Sequence, residues 1–140
     1  IMRWSEIERM ALDGTIEAHS HTHSHTRWDK TIGNAHERSE RLAKDLSDSR
    51  QSLFAHLGKQ SAHLCWPQGY FDNAYQAVAT RLGFVAQYTT SQHLNSRATS
   101  PDQIGRFVAK DRSANWLATR LFLYSSPILG SLYQRIRGGF

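Results

Sequence analysis

Apolar positions along this chain follow two rhythms, a helical repeat of about 3.6 residues and short continuous runs, and the two alternate. Ser5-Glu6-Ile7-Glu8 has the form of a capping box, with Ser5 as N-cap and Glu8 reaching back. Ile7, Met10 and Ala11 continue it as one side of a helix, and Asp13-Gly14 is a stop signal. A longer helix is predicted over residues 35–57, with Leu42, Leu46, Leu53 and Leu57 on one side and Gly58 at its end. Its pairs Glu37/Arg41 and Glu40/Lys44 have the favourable i,i+4 order, each adding only about 0.2–0.5 kcal/mol. Asp72 suits the N-cap of a further helix that carries Tyr75, Val78, Ala79 and Leu82 at i, i+3, i+4 and i+7 before Gly83. Residues 113–124 and 127–137 read as two closing helices; in the second, Ile128, Leu129, Leu132, Tyr133 and Ile136 share a side.

Short strands are predicted between these helices, over residues 15–18, 61–66, 84–90 and 106–110, while 28–34 and 91–105 read as loops. Strands alternating with helices imply βαβ units, a mainly parallel sheet and an α/β fold.

Charge refines this picture. The 140 residues carry a net +5, but residues 1–105 balance 11 basic against 11 acidic side chains. The surplus lies in 106–140, where Arg106, Lys110, Arg112, Arg120, Arg135 and Arg137 face Asp111 alone. A uniformly basic nucleic-acid binder is therefore not indicated. A division follows into an α/β part, 1–110, and a basic helical extension, 111–140. With Arg120, Arg135 and Arg137 flanking apolar positions, that extension reads either as a cover for the side of the fold or as an element for weak contact with an anionic surface. Cys65 is the lone cysteine, so no intrachain disulfide forms and the redox compartment stays open. The longest apolar run, Leu121–Tyr124, is far short of the ~20 residues of a membrane span. Opening at Ile1 directly into a helix start, the sequence reads as part of something longer.

The candidate chemistry centres on Ala18-His19-Ser20-His21-Thr22-His23-Ser24-His25, which holds half of all the histidines. In an extended strand, residues four apart lie roughly 13 Å from each other, whereas ligands of one zinc need nitrogens at about 2.0–2.1 Å. For His21 and His25 to share an ion, the chain must leave the strand near His21 and curl through Thr22–Ser24, as on one helical turn. The same tract also reads as a solvated His-rich loop with weak metal affinity.

Residues 13–25 resemble the second motif of polysaccharide deacetylases (the NodB-homology domain), Ser-His-Thr-x-Ser-His after a short strand. Cys65-Trp66-Pro67-Gln68-Gly69, about forty residues on, resembles the third, Arg-x-Pro-Tyr/Phe-Gly, also between a strand and a helix. The resemblance covers residues 2–90. It implies the later part of an incomplete (β/α) barrel, with His21 and His25 as ligands of a divalent metal, zinc above all. It implies a backbone oxyanion donor at Gln68, and a carbohydrate-binding surface at Trp66, Pro67, Gln68 and Gly69. His19 and His23 inherit no role. The implied chemistry is hydrolysis of N-acetyl groups on a sugar polymer, the ion polarising water and the amide carbonyl.

The sequence departs from the family pattern in three places. The first motif, an Asp-Asp pair giving base and third ligand, has no counterpart here, and Asp29 is the one stand-in the sequence offers. Cys65 replaces the Arg that orients the base, and Gln68 replaces an aromatic. His93 is the sole downstream candidate for the late general acid, in a context that does not fit. The chain alone is therefore expected to bind metal and not to deacetylate. A non-catalytic member keeping a carbohydrate or metal site is the alternative. The bland readings are a simple turn at Pro67–Gly69, a core aromatic at Trp66 and a small buried hydrophobe at Cys65. An envelope or extracytoplasmic setting is compatible with the resemblance.

Overall fold

The computed structural model describes residues 2–91, 93–107 and 109–136. The longest helix, α3 (Ala35–Leu57), has the predicted bounds and sets the frame. Asn34 caps it by accepting from the His36 and Glu37 amides at 2.9 and 3.0 Å, and Gly58 ends it at φ 66°. Its stripe faces inward: Leu42, Leu46 and Leu53 are buried, but so are Asp45 and Ser49 between them.

A parallel pair, β1 (His63–Cys65) and β2 (Ala86–Tyr88), lies beside it, in register His63↔Ala86, Leu64↔Gln87 and Cys65↔Tyr88. Single parallel bridges extend the pair on both sides, Ser20 to Leu64 and Ile104 to Tyr88. Alternation divides the sheet. Leu64 and Gln87 turn towards α3 and α4 (Asn73–Arg81), where Leu42, Leu46, Trp66, Tyr75, Val78, Ala79 and Phe84 complete the core. His63, Cys65 and Tyr88 occupy the opposite face. Burial among these apolar groups pushes the Tyr75 phenol up to about 12. Asp72 caps α4 as predicted, its carboxylate 2.8 Å from the Tyr75 amide.

Several elements differ from expectation. The capping box of α1 (Trp4–Leu12) is framed two residues earlier, with the Arg3 N–H donating to Glu6 at 2.7 Å. This puts Trp4 and Glu8 on the side facing α3, where Trp4 stacks on His56 at 3.9 Å and Glu8 pairs with its Nδ1 at 2.7 Å. Residues 15–18 form no strand. The ladder reaches the chain only at Ser20, because β1 offers just three residues to pair with. Both predicted strands 61–66 and 84–90 shorten to three residues, and Trp28–Thr31 forms a short helix, α2, where a loop was expected. Of 106–110, the residues up to 107 are irregular, and Val108 lies outside the described residues.

The two closing helices, α5 (Ala114–Ser125) and α6 (Pro127–Ile136), pack on each other; Arg137 lies outside the described residues. Gly130 is buried against Leu94, where a Cβ would come within 2.7 Å of a leucine methyl. Arg120, one of the three charges behind the anionic-surface reading, is 9% exposed, its guanidinium 4.5 Å from the Tyr133 ring and 5.1 Å from Trp116. Aromatic faces accommodate a guanidinium that has lost water. What the hairpin shows to solvent is largely apolar, including Phe122 at 66% and Ile128 at 80%. No described helix is long and apolar enough to cross a membrane.

Candidate active site and metal centre

Two loops leave the same sheet edge and meet there, the edge where sites gather in parallel sheets. The first begins at Ser20, which is clamped. Its N–H donates to the His63 carbonyl at 3.2 Å, its carbonyl accepts from Cys65 at 2.9 Å, and its hydroxyl lies 2.7 Å from that of Ser49. Beyond it the chain turns through Thr22 at φ 65° and His25 at φ 57°. The Ser24 amide donates to buried Asp45 at 2.8 Å, and the His25 amide to the Thr22 hydroxyl at 3.1 Å. The result is a left-handed kink in place of the helical turn expected. The His21 and His25 ring centroids sit 4.9 Å apart, instead of the roughly 13 Å of extended chain.

His21 Nδ1 lies 2.6 Å from the Cys65 carbonyl oxygen. A carbonyl only accepts, so Nδ1 carries the proton and the lone pair of Nε2 is left for a metal. Metal-ligating histidines are commonly oriented by such a bond. The donor chemistry of this pair therefore fits a divalent ion. Among the described residues no group of three or more His, Cys, Asp or Glu is placed to hold one. Asp29, considered as a third donor, has both oxygens 2.7 Å from the Arg27 guanidinium, which holds its carboxyl below the usual range. His19 turns away to stack on His63 at 4.3 Å, and His23 is exposed.

The second loop follows Trp66. Gln68 takes φ 54°, and Gly69 at φ 70° packs so closely that a Cβ would meet Thr90 Oγ1 at 2.0 Å. The turn-closing bonds are donated by other residues, Gly69 to Trp66 and Tyr70 to Pro67. Arg27 ties the loops together. It stacks on Tyr70 at 3.9 Å and donates to the Gln68 side-chain oxygen at 3.3 Å. Thr22, His25 and Gln68 are the non-glycine residues with positive φ among the described residues, and all belong to these loops. Such strain costs of order 1–3 kcal/mol each and clusters at functional sites.

Of the four residues expected to line the carbohydrate surface, Trp66 is 1% exposed and Pro67 is buried. The Trp66 indole packs on Tyr75 in the core and leaves no face for a sugar. Gln68 and Gly69 remain at the surface. His93 lines a cavity of about 430 Å³ together with Asn95, Arg106, Phe107 and Tyr124. Sequence reasoning missed Asp45, which holds the Ser24 amide, and Arg106, whose Nη1 donates to the Cys65 sulfur at 2.7 Å. Asp45 did leave a signal, a carboxylate inside the leucine stripe.

A family profile described as polysaccharide deacetylase matches residues 1–87, more than half of the chain. The chain belongs to the polysaccharide deacetylase family. Solved structures agree in fold. The BpsB deacetylase domain from Bordetella bronchiseptica is similar with a TM-score of 0.69 at 22% identity, over 76% of this chain and 48% of that one. IcaB from Ammonifex degensii gives 0.73 at 21%, over 85% and 52%. The Streptococcus pyogenes deacetylase PplD, solved in complex with acetate, gives 0.71 at 18%, over 84% and 50%. At these identities the likeness shows the fold alone. This deacetylase-family chain spans about half the length of those structures. Among curated protein sequences none matches it. Parallel strands with flanking helices agree with the expected NodB-type fold, and the family acts on carbohydrates.

Proposed function

We propose that His21 and His25 form a divalent-metal site, with zinc as the ion, within a centre that hydrolyses N-acetyl groups of a sugar polymer. The observation that carries this is the kink that brings the two rings to 4.9 Å while the Cys65 carbonyl fixes one tautomer. A bound ion would polarise water and the amide carbonyl. Of the chain's own residues, Gln68, on a backbone held left-handed, would direct its N–H at the developing oxyanion, and Gln68 with Gly69 would meet the sugar. Residues 1–110 carry this deacetylase part, and 111–140 are a helical extension. Burial of Arg120 takes one of the three charges from the anionic-surface reading of that extension.

Two imidazoles hold an ion weakly, well below the ~10–16 kcal/mol of closed structural zinc sites. Without a positioned base, water lacks a partner for its proton. This chain alone therefore binds zinc and leaves substrate intact. Calorimetric titration with zinc, beside an acetate-release assay on an N-acetylated chitooligosaccharide, tests both halves. One weak site without acetate release is expected. Absence of zinc binding overturns the metal centre, and acetate release overturns the assignment of the chain as base-deficient.

A further inference from the structure

The cavity of about 430 Å³ lies outside the two motif loops and is lined from residues 93–95, residues 105–107 and the closing hairpin. Its volume is that of small-ligand pockets, which join apolar and aromatic walls to a few fixed polar groups. Leu94, Phe107 and Tyr124 form the apolar wall, the two rings 5.5 Å apart and tilted by 44°. The polar wall is pinned by backbone. Asn95 donates to the Gly105 carbonyl at 2.8 Å and accepts the Gly105 amide at 2.9 Å, which locks the two segments together. Gly105 sits so close that a Cβ would meet the Ser91 and His93 carbonyl oxygens at 2.8 Å each. Arg106 follows, half-buried and tethered through Nε to the Thr89 carbonyl and through Nη1 to the Cys65 sulfur, both at 2.7 Å. Among the described residues no carboxylate pairs with Arg106, and no Asp or Glu lines the cavity.

This lining distinguishes the two forms of an amino sugar. A pyranose ring offers an apolar face to aromatic side chains and hydroxyls to fixed polar groups, whether acetylated or not. The acetylated unit is neutral, whereas the unit left by hydrolysis carries an amine that takes up a proton. A half-buried cation with no anion beside it repels an ammonium more than an exposed one does, because less water screens it. We propose that this cavity is a sugar-binding subsite that admits acetylated units of the polymer and rejects deacetylated ones, with Arg106 as the specificity-determining residue. The inference takes its ligand class from the deacetylase reading above, and its geometry from residues outside the histidine pair. Such a subsite directs the protein to stretches of polymer that still carry acetyl groups.

The test is NMR of backbone amides on the metal-free chain, in slightly acidic buffer of low ionic strength, titrated with tri-N-acetylchitotriose and separately with fully deacetylated chitotriose. The acetylated trimer should shift the Leu94, Asn95, Gly105 and Phe107 amides saturably, and the deacetylated trimer should bind at least about tenfold more weakly. Arg106→Gln should bring the two sugars within about threefold of each other, whereas Phe107→Ala should weaken both alike. Added salt should narrow the wild-type gap. Shifts absent from these amides, or confined to Gln68 and Gly69, overturn the subsite. Equal affinities in the wild type, or a gap unchanged in Arg106→Gln, overturn the role of Arg106. Should that variant fail to fold, the salt series on the wild type decides, and a gap indifferent to salt refutes repulsion. A chain that prefers the acetylated trimer but takes no zinc refutes the metal reading alone. One that takes zinc without this preference refutes the subsite alone.

Discussion

Replacing Asp45 with Ala should loosen the histidine turn more than any other single change on α3. Asp45 is 5% exposed and accepts the Ser24 amide at 2.8 Å, one residue before His25. A hydrogen bond to a charged group contributes about 1.5–3 kcal/mol, and its loss leaves the Ser24 N–H poorly satisfied. The second contact, Trp28 Nε1 at 3.4 Å, is long and adds little. The expected cost is therefore about 2–3 kcal/mol, a fall in Tm of roughly 5–10 °C for a chain of this size. Asp45→Asn keeps an acceptor oxygen for Ser24 and should cost less than about 1 kcal/mol. Because the turn sets the two rings, zinc affinity should also fall about 10–100-fold in Asp45→Ala, the usual effect of losing an outer support. Thermal melts by circular dichroism and zinc calorimetry on the three proteins read these quantities. An Asp45→Ala protein with wild-type Tm and zinc affinity would refute the reasoning. Equal losses in the Asn variant would show that charge, not the acceptor, is what matters.

Three further outcomes follow from the loops. Asp29 has its pKa lowered in the folded chain by Arg27, so its stabilisation is complete above the unfolded value of about 3.9 and disappears as pH falls through the folded value. Asp29→Asn should be less stable in urea at pH 7 by about 1.5 kcal/mol, with the gap closing below about pH 4. Gly69→Ala should cost at least about 2 kcal/mol by the same measurement, since a positive φ and a clash with Thr90 add together. Cys65→Ala should leave zinc affinity within about threefold of wild type, because the backbone carbonyl, not the thiol, supports His21.

Much of this was legible because it is local. Asn34 and Gly58 bound α3, Asp72 starts α4, and strand–helix–strand order predicts the parallel pair. The histidine loop was readable from spacing, since a shared ion demands a kink between His21 and His25, and the loop after Trp66 from its likeness to a family motif. What was not legible depends on distant partners. Glu8 reads as the capping-box partner of Ser5 until His56, on another helix, takes it and Glu6 accepts from the Arg3 amide instead. Trp66 reads as a sugar contact through the resemblance and as a core aromatic from its strand position, and in the structure it packs on Tyr75. Arg106 has no local pattern at all. It meets Cys65 across 41 positions.

The central claim is that two of the four clustered histidines form a site, and a comparison of double variants by zinc calorimetry tests it most directly. His21→Ala/His25→Ala should abolish binding, whereas His19→Ala/His23→Ala, which removes one ring stacked on His63 and one exposed ring, should bind within about threefold of wild type. Equal losses from both would contradict the account, leaving a diffuse His-rich patch where a metal centre is proposed.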